Sequence, residues 1–276
     1  MYIGAHLPIS KGFRAAVQLA QEIGANTFQY FTRNPRGSQV KALDMADIQE
    51  SQRLMQHYSF FTPVAHAPYT MNLASPSDDT RGFAVRILRE DLERAEKAGT
   101  MLLAIHPGSH GGKGSFFGLE RIIEGLNLVL HREGSTHLLL EGMAGQGSEL
   151  GSTFEELKQI RQGVNNSHRI GFILDTCHLY AAGYDVLNDL EGVLKEFDQL
   201  IGLKHLKALH VNDSKYSLGS RRDRHSNLGE GYLGLDFFSR LVKNPVVRKL
   251  PLILETPGDL LNYQQEIRFL RQSAKF

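Results

Sequence analysis

Residues 170–178 read Ile170-Gly-Phe-Ile-Leu-Asp175-Thr-Cys-His178: an apolar run stops on an acid, and a histidine follows one helical turn later. Five other stretches stop in the same way: Thr62-Pro-Val-Ala-His66, Leu102-Leu-Ala-Ile-His106, Leu138-Leu-Leu-Glu141, Leu206-Lys-Ala-Leu-His210 and Leu252-Ile-Leu-Glu255. Short, nearly continuous apolar runs suit strands of a parallel sheet whose outer face is covered. Between them lie segments with helical spacing, such as Ala84, Ile87, Leu88, Leu92, Ala95 and Ala98, then Leu119, Ile122, Ile123, Leu126 and Leu130. Expected strands begin near Tyr2, Thr27, Thr62, Met101, His137, Ile170, Leu206 and Leu250. This alternation predicts an α/β chain folded as a single (β/α)8 TIM barrel domain over residues 1–276. An open doubly wound sheet is disfavoured, because no Gly-x-Gly-x-x-Gly turn follows the first strand. Ser152 with Glu155 predicts a capping-box start for a helix near 154–164.

Composition narrows the class further. The 276 residues are 41% hydrophobic and 22% charged, as in an ordinary soluble globular protein. No apolar stretch nears the roughly 18 residues that span a bilayer, and the start Met1-Tyr-Ile-Gly-Ala-His6 lacks signal-peptide character. The lone Cys177 excludes an internal disulfide framework, so a cytoplasmic protein is expected. A net charge of +1 gives no general affinity for nucleic acid, so any such role needs a local basic surface. Two stretches offer one: Lys215, Arg221, Arg222 and Arg224 against the single Asp223, and Arg33-Asn34-Pro35-Arg36.

A closed parallel barrel gathers its strand ends at the C-terminal rim, so residues some forty positions apart converge there. Those ends supply His66, His106, Glu141, Asp175, His210 and Glu255. His178 and the pair Asp223-x-His225 join them, making five His, two Asp and two Glu. Each residue alone has an ordinary reading, as a hydrogen-bonded strand end, a helix cap or a polar turn; together they make a polynuclear metal site. Zinc takes three or four protein ligands, so nine with one bridging carboxylate serve three ions. A nitrogen and oxygen donor set also leaves manganese or iron open. Cys177 is read as a buried small residue outside the coordination, and His6 as a group that hydrogen-bonds a ligand. His57, His131, His137, His168 and His205 fall away from the rim.

With these motifs in place the chain resembles endonuclease IV, the metal-dependent apurinic/apyrimidinic endonucleases of base-excision DNA repair. The matching pieces are Ile3-Gly-Ala-His6, His66-Ala-Pro-Tyr69, His106-Pro-Gly-Ser-His110, Ala144-Gly-Gln-Gly147, Asp175-Thr-Cys-His178, Asp223-Arg-His225, Leu228-Gly-Glu-Gly231 and Leu252-Ile-Leu-Glu-Thr256. The resemblance implies three zinc ions: one held by His66, His106 and Glu141; one by Glu141, Asp175, His210 and Glu255; one by His178, Asp223 and His225. It further implies Glu141 as the catalytic carboxylate and damaged duplex DNA as the partner, with no membrane and no obligate protein partner. Arg36, Tyr69 and Arg222 are the implied DNA contacts. The implied reaction is hydrolysis 5′ to an abasic site, leaving a 3′-hydroxyl and a 5′-deoxyribose phosphate, together with trimming of blocked 3′ ends. Asn34-Pro-Arg36-Gly37-Ser38 and Glu141-Gly-Met143 depart from the family's usual loops. A metal-dependent sugar isomerase or epimerase on a similar barrel is the alternative.

Overall fold

In the computed structural model, residues 1–35 and 39–275 are described. The strands are β1 (Tyr2–Ala5), β2 (Gln29–Phe31), β3 (Val64–His66), β4 (Leu102–Ile105), β5 (His137–Glu141), β6 (Ile170–Asp175), β7 (Leu206–His210) and β8 (Pro251–Leu254). They form one sheet in the order β1-β8-β7-β6-β5-β4-β3-β2, with every pairing parallel. A parallel bridge between His6 and Gln29 joins its two ends, so the sheet closes on itself as a barrel. β2 and β3 begin two residues later than the expected Thr27 and Thr62, and β4 and β8 one residue later than Met101 and Leu250. Pro63 has no N–H to give a ladder, so β3 pairs from Val64 onward. Thr27 instead donates its hydroxyl to the Thr62 carbonyl, 3.1 Å away, below the first rung.

The core has two compartments. Inside the barrel, Val64, Leu102, Ala104, Leu139, Ile173, Ala208 and Ile253 pack together. Outside it, a larger layer lies between sheet and helices, where α3 (Asp78–Lys97) buries Ala84, Ile87, Leu88, Leu92 and Ala95 on the face expected from their spacing. The helix α5 (Phe154–Gly163) is capped by Thr153, whose side chain accepts from the Glu156 N–H. This corrects the expected Ser152 cap. The turn is shifted by one residue because the Glu156 carboxylate accepts from the N–H groups of Gly151 and Ser152.

Two short antiparallel ladders fold the loops back over the C-terminal rim. Gly108–Ser109 pairs with Glu149–Leu150, and Asp213–Ser214 pairs with His225–Ser226. The second ladder carries His225 from a long loop to the barrel mouth.

Candidate metal centre

The pleat of the strands explains how six polar residues share one layer. Val64, Ala104, Leu139, Ile173, Ala208 and Ile253 face the barrel interior. Side chains alternate along a strand, so His66, His106, Glu141, Asp175, His210 and Glu255, each two residues further on, point the same way one step nearer the rim. The short helix α6 (Thr176–Ala182) adds His178 from its first turn. Asp175 serves both elements: Oδ1 accepts from the N–H groups of Cys177 and His178, while Oδ2 accepts from the Asn212 amide at 2.7 Å.

All nine expected ligands are thereby brought together in three groups. The donor atoms of His66, His106 and Glu141 lie within 4.8 Å of one another, as do those of Glu141, Asp175, His210 and Glu255, and those of His178, Asp223 and His225. Glu141 is common to two groups. Its Oε2 is 3.2 Å from His66 Nε2 and 3.3 Å from His106 Nε2, while Oε1 is 3.2 Å from His210 Nδ1 and 3.3 Å from His178 Nδ1.

The hydrogen bonds around the rings suit metal ligands. Nδ1 of His66, His178 and His225 lies 2.7, 3.1 and 3.2 Å from the carbonyls of Ala67, Gly142 and Glu255. A carbonyl only accepts, so each Nδ1 carries a proton and each Nε2 is left for a cation. Nε2 of His178 and of His225 is buried without a hydrogen bond, although Asp223 Oδ1 is only 3.1 and 3.4 Å away. A buried polar atom facing a carboxylate off the hydrogen-bond line is what a bridging cation would satisfy.

Electrostatics agree with that fit. Burial opposes charge on His178, yet Asp175 and Asp223 hold its pKa well above the usual imidazole range. Burial also opposes charge on His210, but Glu255 and Glu141 lift it to about 9. Glu141 is held well below the carboxylate range, its burial outweighed by His210 and His106. Asp223, despite burial, falls to about 2 beside His178. Without metal, protons on the rings offset four crowded carboxylates; divalent ions would replace them. Asp175, Cys177 and His225 also approach one another. Burial and then Asp175 push the Cys177 thiol up to about 12, however, and it points to the Arg224 carbonyl at 3.6 Å, so it stays a thiol outside the ligand set.

The cleft above the cluster, about 540 Å³, is walled by seven of the nine residues together with Tyr69, Glu149, Arg224 and Pro257. A larger cavity of about 760 Å³ lies elsewhere, among Arg89, Glu93, Lys97 and Arg169. None of the nine lines it, so size alone does not locate the site. Tyr69 is 58% exposed and stands 5.7 Å, ring to ring, from His106. Arg222 is exposed, its guanidinium 4.8 Å above the Tyr216 ring. Arg36 lies outside the described residues.

Two expectations change. Arg33 is no surface cation: it is buried, with Nη2 2.6 Å from Asp91 Oδ1, because a guanidinium withdrawn from water needs a carboxylate partner. Met143 is 2% exposed and packs inward, so its side chain forms no loop surface. Asn212, which donates to Asp175, and Gln29 are site residues absent from the expected set. Gln29, fully buried on β2, contacts His210, Glu255 and His6. Its one signal in the sequence is a polar side chain in the run Phe28-Gln-Tyr-Phe31.

The chain is similar to known proteins over nearly its whole length. A family model described as xylose isomerase-like TIM barrel matches residues 17–273. A probable endonuclease 4 of Heliobacterium modesticaldum is 49% identical over 275 residues, covering 100% of both chains. One from Alkaliphilus oremlandii is 48% identical, over 99% of this chain and 97% of its own. The crystal structure of endonuclease IV from Thermus thermophilus superimposes with a TM-score of 0.88 at 33% identity, covering 100% of this chain and 99% of that one. A D-tagatose 3-epimerase-like protein shares the barrel at a TM-score of 0.74 but only 16% identity, covering 100% of this chain and 97% of that one, a likeness of fold alone. The chain belongs to the endonuclease IV family, built on the xylose isomerase-like TIM barrel.

Proposed function

We propose that this hydrolase, one barrel domain over residues 1–276, incises duplex DNA on the 5′ side of abasic sites, leaving a 3′-hydroxyl and a 5′-deoxyribose phosphate, and trims blocked 3′ ends. One observation carries the reading: Glu141 Oε2 faces the Nε2 atoms of His66 and His106 while Oε1 faces Nδ1 of His210, as would suit a carboxylate shared by two ions. His66, His106 and Glu141 would hold one zinc ion, Glu141, Asp175, His210 and Glu255 a second, and His178, Asp223 and His225 a third. Bound there, the ions would supply Lewis acidity, lowering the pKa of water and neutralising charge on the phosphoryl and leaving oxygens.

The chain's own groups perform the remaining tasks. Glu141, kept ionised by its imidazole neighbours, orients the attacking water by accepting its hydrogen bond. The carbonyls of Ala67, Gly142 and Glu255 fix the rings of His66, His178 and His225, so the site is organised before substrate arrives. Tyr69, exposed beside His106, offers a flat face to a sugar turned out of the duplex. Arg222 and its basic neighbours would draw the phosphate backbone onto the rim. An abasic nucleotide has no stack or pair to break, which favours its entry into the cleft.

The family membership supports an endonuclease over a sugar isomerase, whose likeness here is one of fold alone. Glu141→Gln tests the proposal. Incision should fall by roughly 10²–10⁴-fold with duplex binding retained, measured by gel-based cleavage and gel shift. A near-normal rate would remove Glu141 from the mechanism.

A further inference from the structure

We infer that Gln29 is a positioning residue that dictates which nitrogen of His210 faces the metal and, with the same amide, fixes the Glu255 carboxylate. The inference rests on the metal-site reading above. It begins with an amide whose orientation is determined by its partners. One end of Gln29 is 2.5 Å from Glu255 Oε1, and an ionised carboxylate only accepts, so that end is the NH2 group. The same NH2 group lies 3.0 Å from His6 Nδ1, which is itself 3.3 Å from Glu255 Oε1. The carbonyl end must then be the atom 2.8 Å from His210 Nε2. A carbonyl cannot donate, so His210 Nε2 carries a proton.

In the neutral ring that a metal ligand must be, the lone pair of His210 therefore belongs to Nδ1, the nitrogen ringed by Glu141 Oε1 at 3.2 Å, Glu255 Oε2 at 3.5 Å and Asp175 Oδ2 at 3.8 Å. His210 thus presents Nδ1, the opposite choice from His66, His178 and His225, whose Nδ1 atoms are committed to carbonyls. In those three rings a backbone carbonyl fixes the tautomer; in His210 the side chain of Gln29 takes the corresponding part at the other nitrogen. The barrel closes at the bridge between His6 and Gln29, so the last rung of the sheet also sets the ring of a metal ligand on the far side of the mouth.

The test uses the full-length protein loaded with zinc, wild type beside Gln29→Leu and Gln29→Glu. Leucine removes all three contacts; glutamate can still accept from His210 but sets a second carboxylate against Glu255. Metal content after gel filtration and release into a chromogenic chelator are measured for each. The expected result is faster release, by about 10–100-fold, of one ion in three from Gln29→Leu, with the other two unaffected. Glutamate at this position should retain His210 but release that ion faster than wild type. Melting of the chelated variants guards against a folding defect. Long-range ¹H–¹⁵N spectra of labelled histidines in the wild-type protein give a readout free of any variant: His210 should show protonated Nε2 and coordinated Nδ1. Three ions retained at wild-type rates in Gln29→Leu, or a His210 protonated at Nδ1, would overturn the inference. A wild-type protein that binds no zinc would overturn the metal-site reading itself.

Discussion

At the scale of single residues, the cluster couples folding to pH in a direction that depends on metal. In the chelated protein His210 stands near 9 instead of 6.5, so it contributes stability that is complete below 6.5 and lost as pH rises through 9. Asp223, near 2 instead of 3.8, acts oppositely: its contribution is present above 3.8 and lost as pH falls through 2. The chelated protein should therefore be most stable between 3.8 and 6.5, with a melting temperature that declines from pH 6.5 to 9. Zinc-loaded protein, whose histidines must be neutral to ligate, should hold its melting temperature over that rise. Parallel thermal scans at pH 6.5 and 9 check this, and a chelated protein that gains stability toward pH 9 would contradict it. Residues also show where sequence reading succeeds. His66, His106, Glu141, Asp175, His210 and Glu255 were legible because each terminates an apolar run. Gln29 was not, since its role depends on a partner 181 positions away. Arg33 misled because charge in a loop reads as surface, and only the fold brings Asp91 to it.

At the scale of elements, the rim loops are held by buried carboxylates. Asp213 is fully buried and accepts from the backbone N–H groups of Ser214, Gly229, Gly231, Leu233 and Gly234. One side chain thus gathers the turn that contains Leu228-Gly-Glu-Gly231. Close packing there explains its glycines: a Cβ on Gly231 would collide with the Asp213 carboxylate and the Ser214 carbonyl. Asp213→Ala should destabilise the protein by about 3 kcal/mol, because several donors lose their acceptor together. Chemical denaturation of the chelated variant measures the loss, and a change under about 0.5 kcal/mol would show the loop to be held by other means. Glycines and an acid in this stretch are visible in the sequence, but the five-fold acceptance emerges only from the folded turn. The helix start at Thr153 instead of Ser152 has a similar origin, since the Glu156 carboxylate takes both preceding N–H groups.

At the scale of the whole molecule, barrel closure turns six dispersed strand ends into one site. The fold was legible because strand and helix periodicities alternate along the chain, and the structure closes the sheet through His6 and Gln29. Four carboxylates and five neutral imidazoles around three divalent ions would leave the centre with a charge of about +2, suited to a phosphodiester. The cleft, about 540 Å³ and open beside the exposed Tyr69, is where the proposed function would seat a single everted nucleotide. Among the described residues no helix is long and apolar enough to cross a membrane. The decisive measurement is incubation of zinc-loaded protein with duplex DNA carrying one tetrahydrofuran abasic analogue, followed by sizing on a denaturing gel. The analogue cannot undergo β-elimination, so a nick on its 5′ side with a 3′-hydroxyl end, abolished by chelation and restored by zinc, is the predicted result. Intact DNA under those conditions, with a ketose epimerised or isomerised instead, would contradict it.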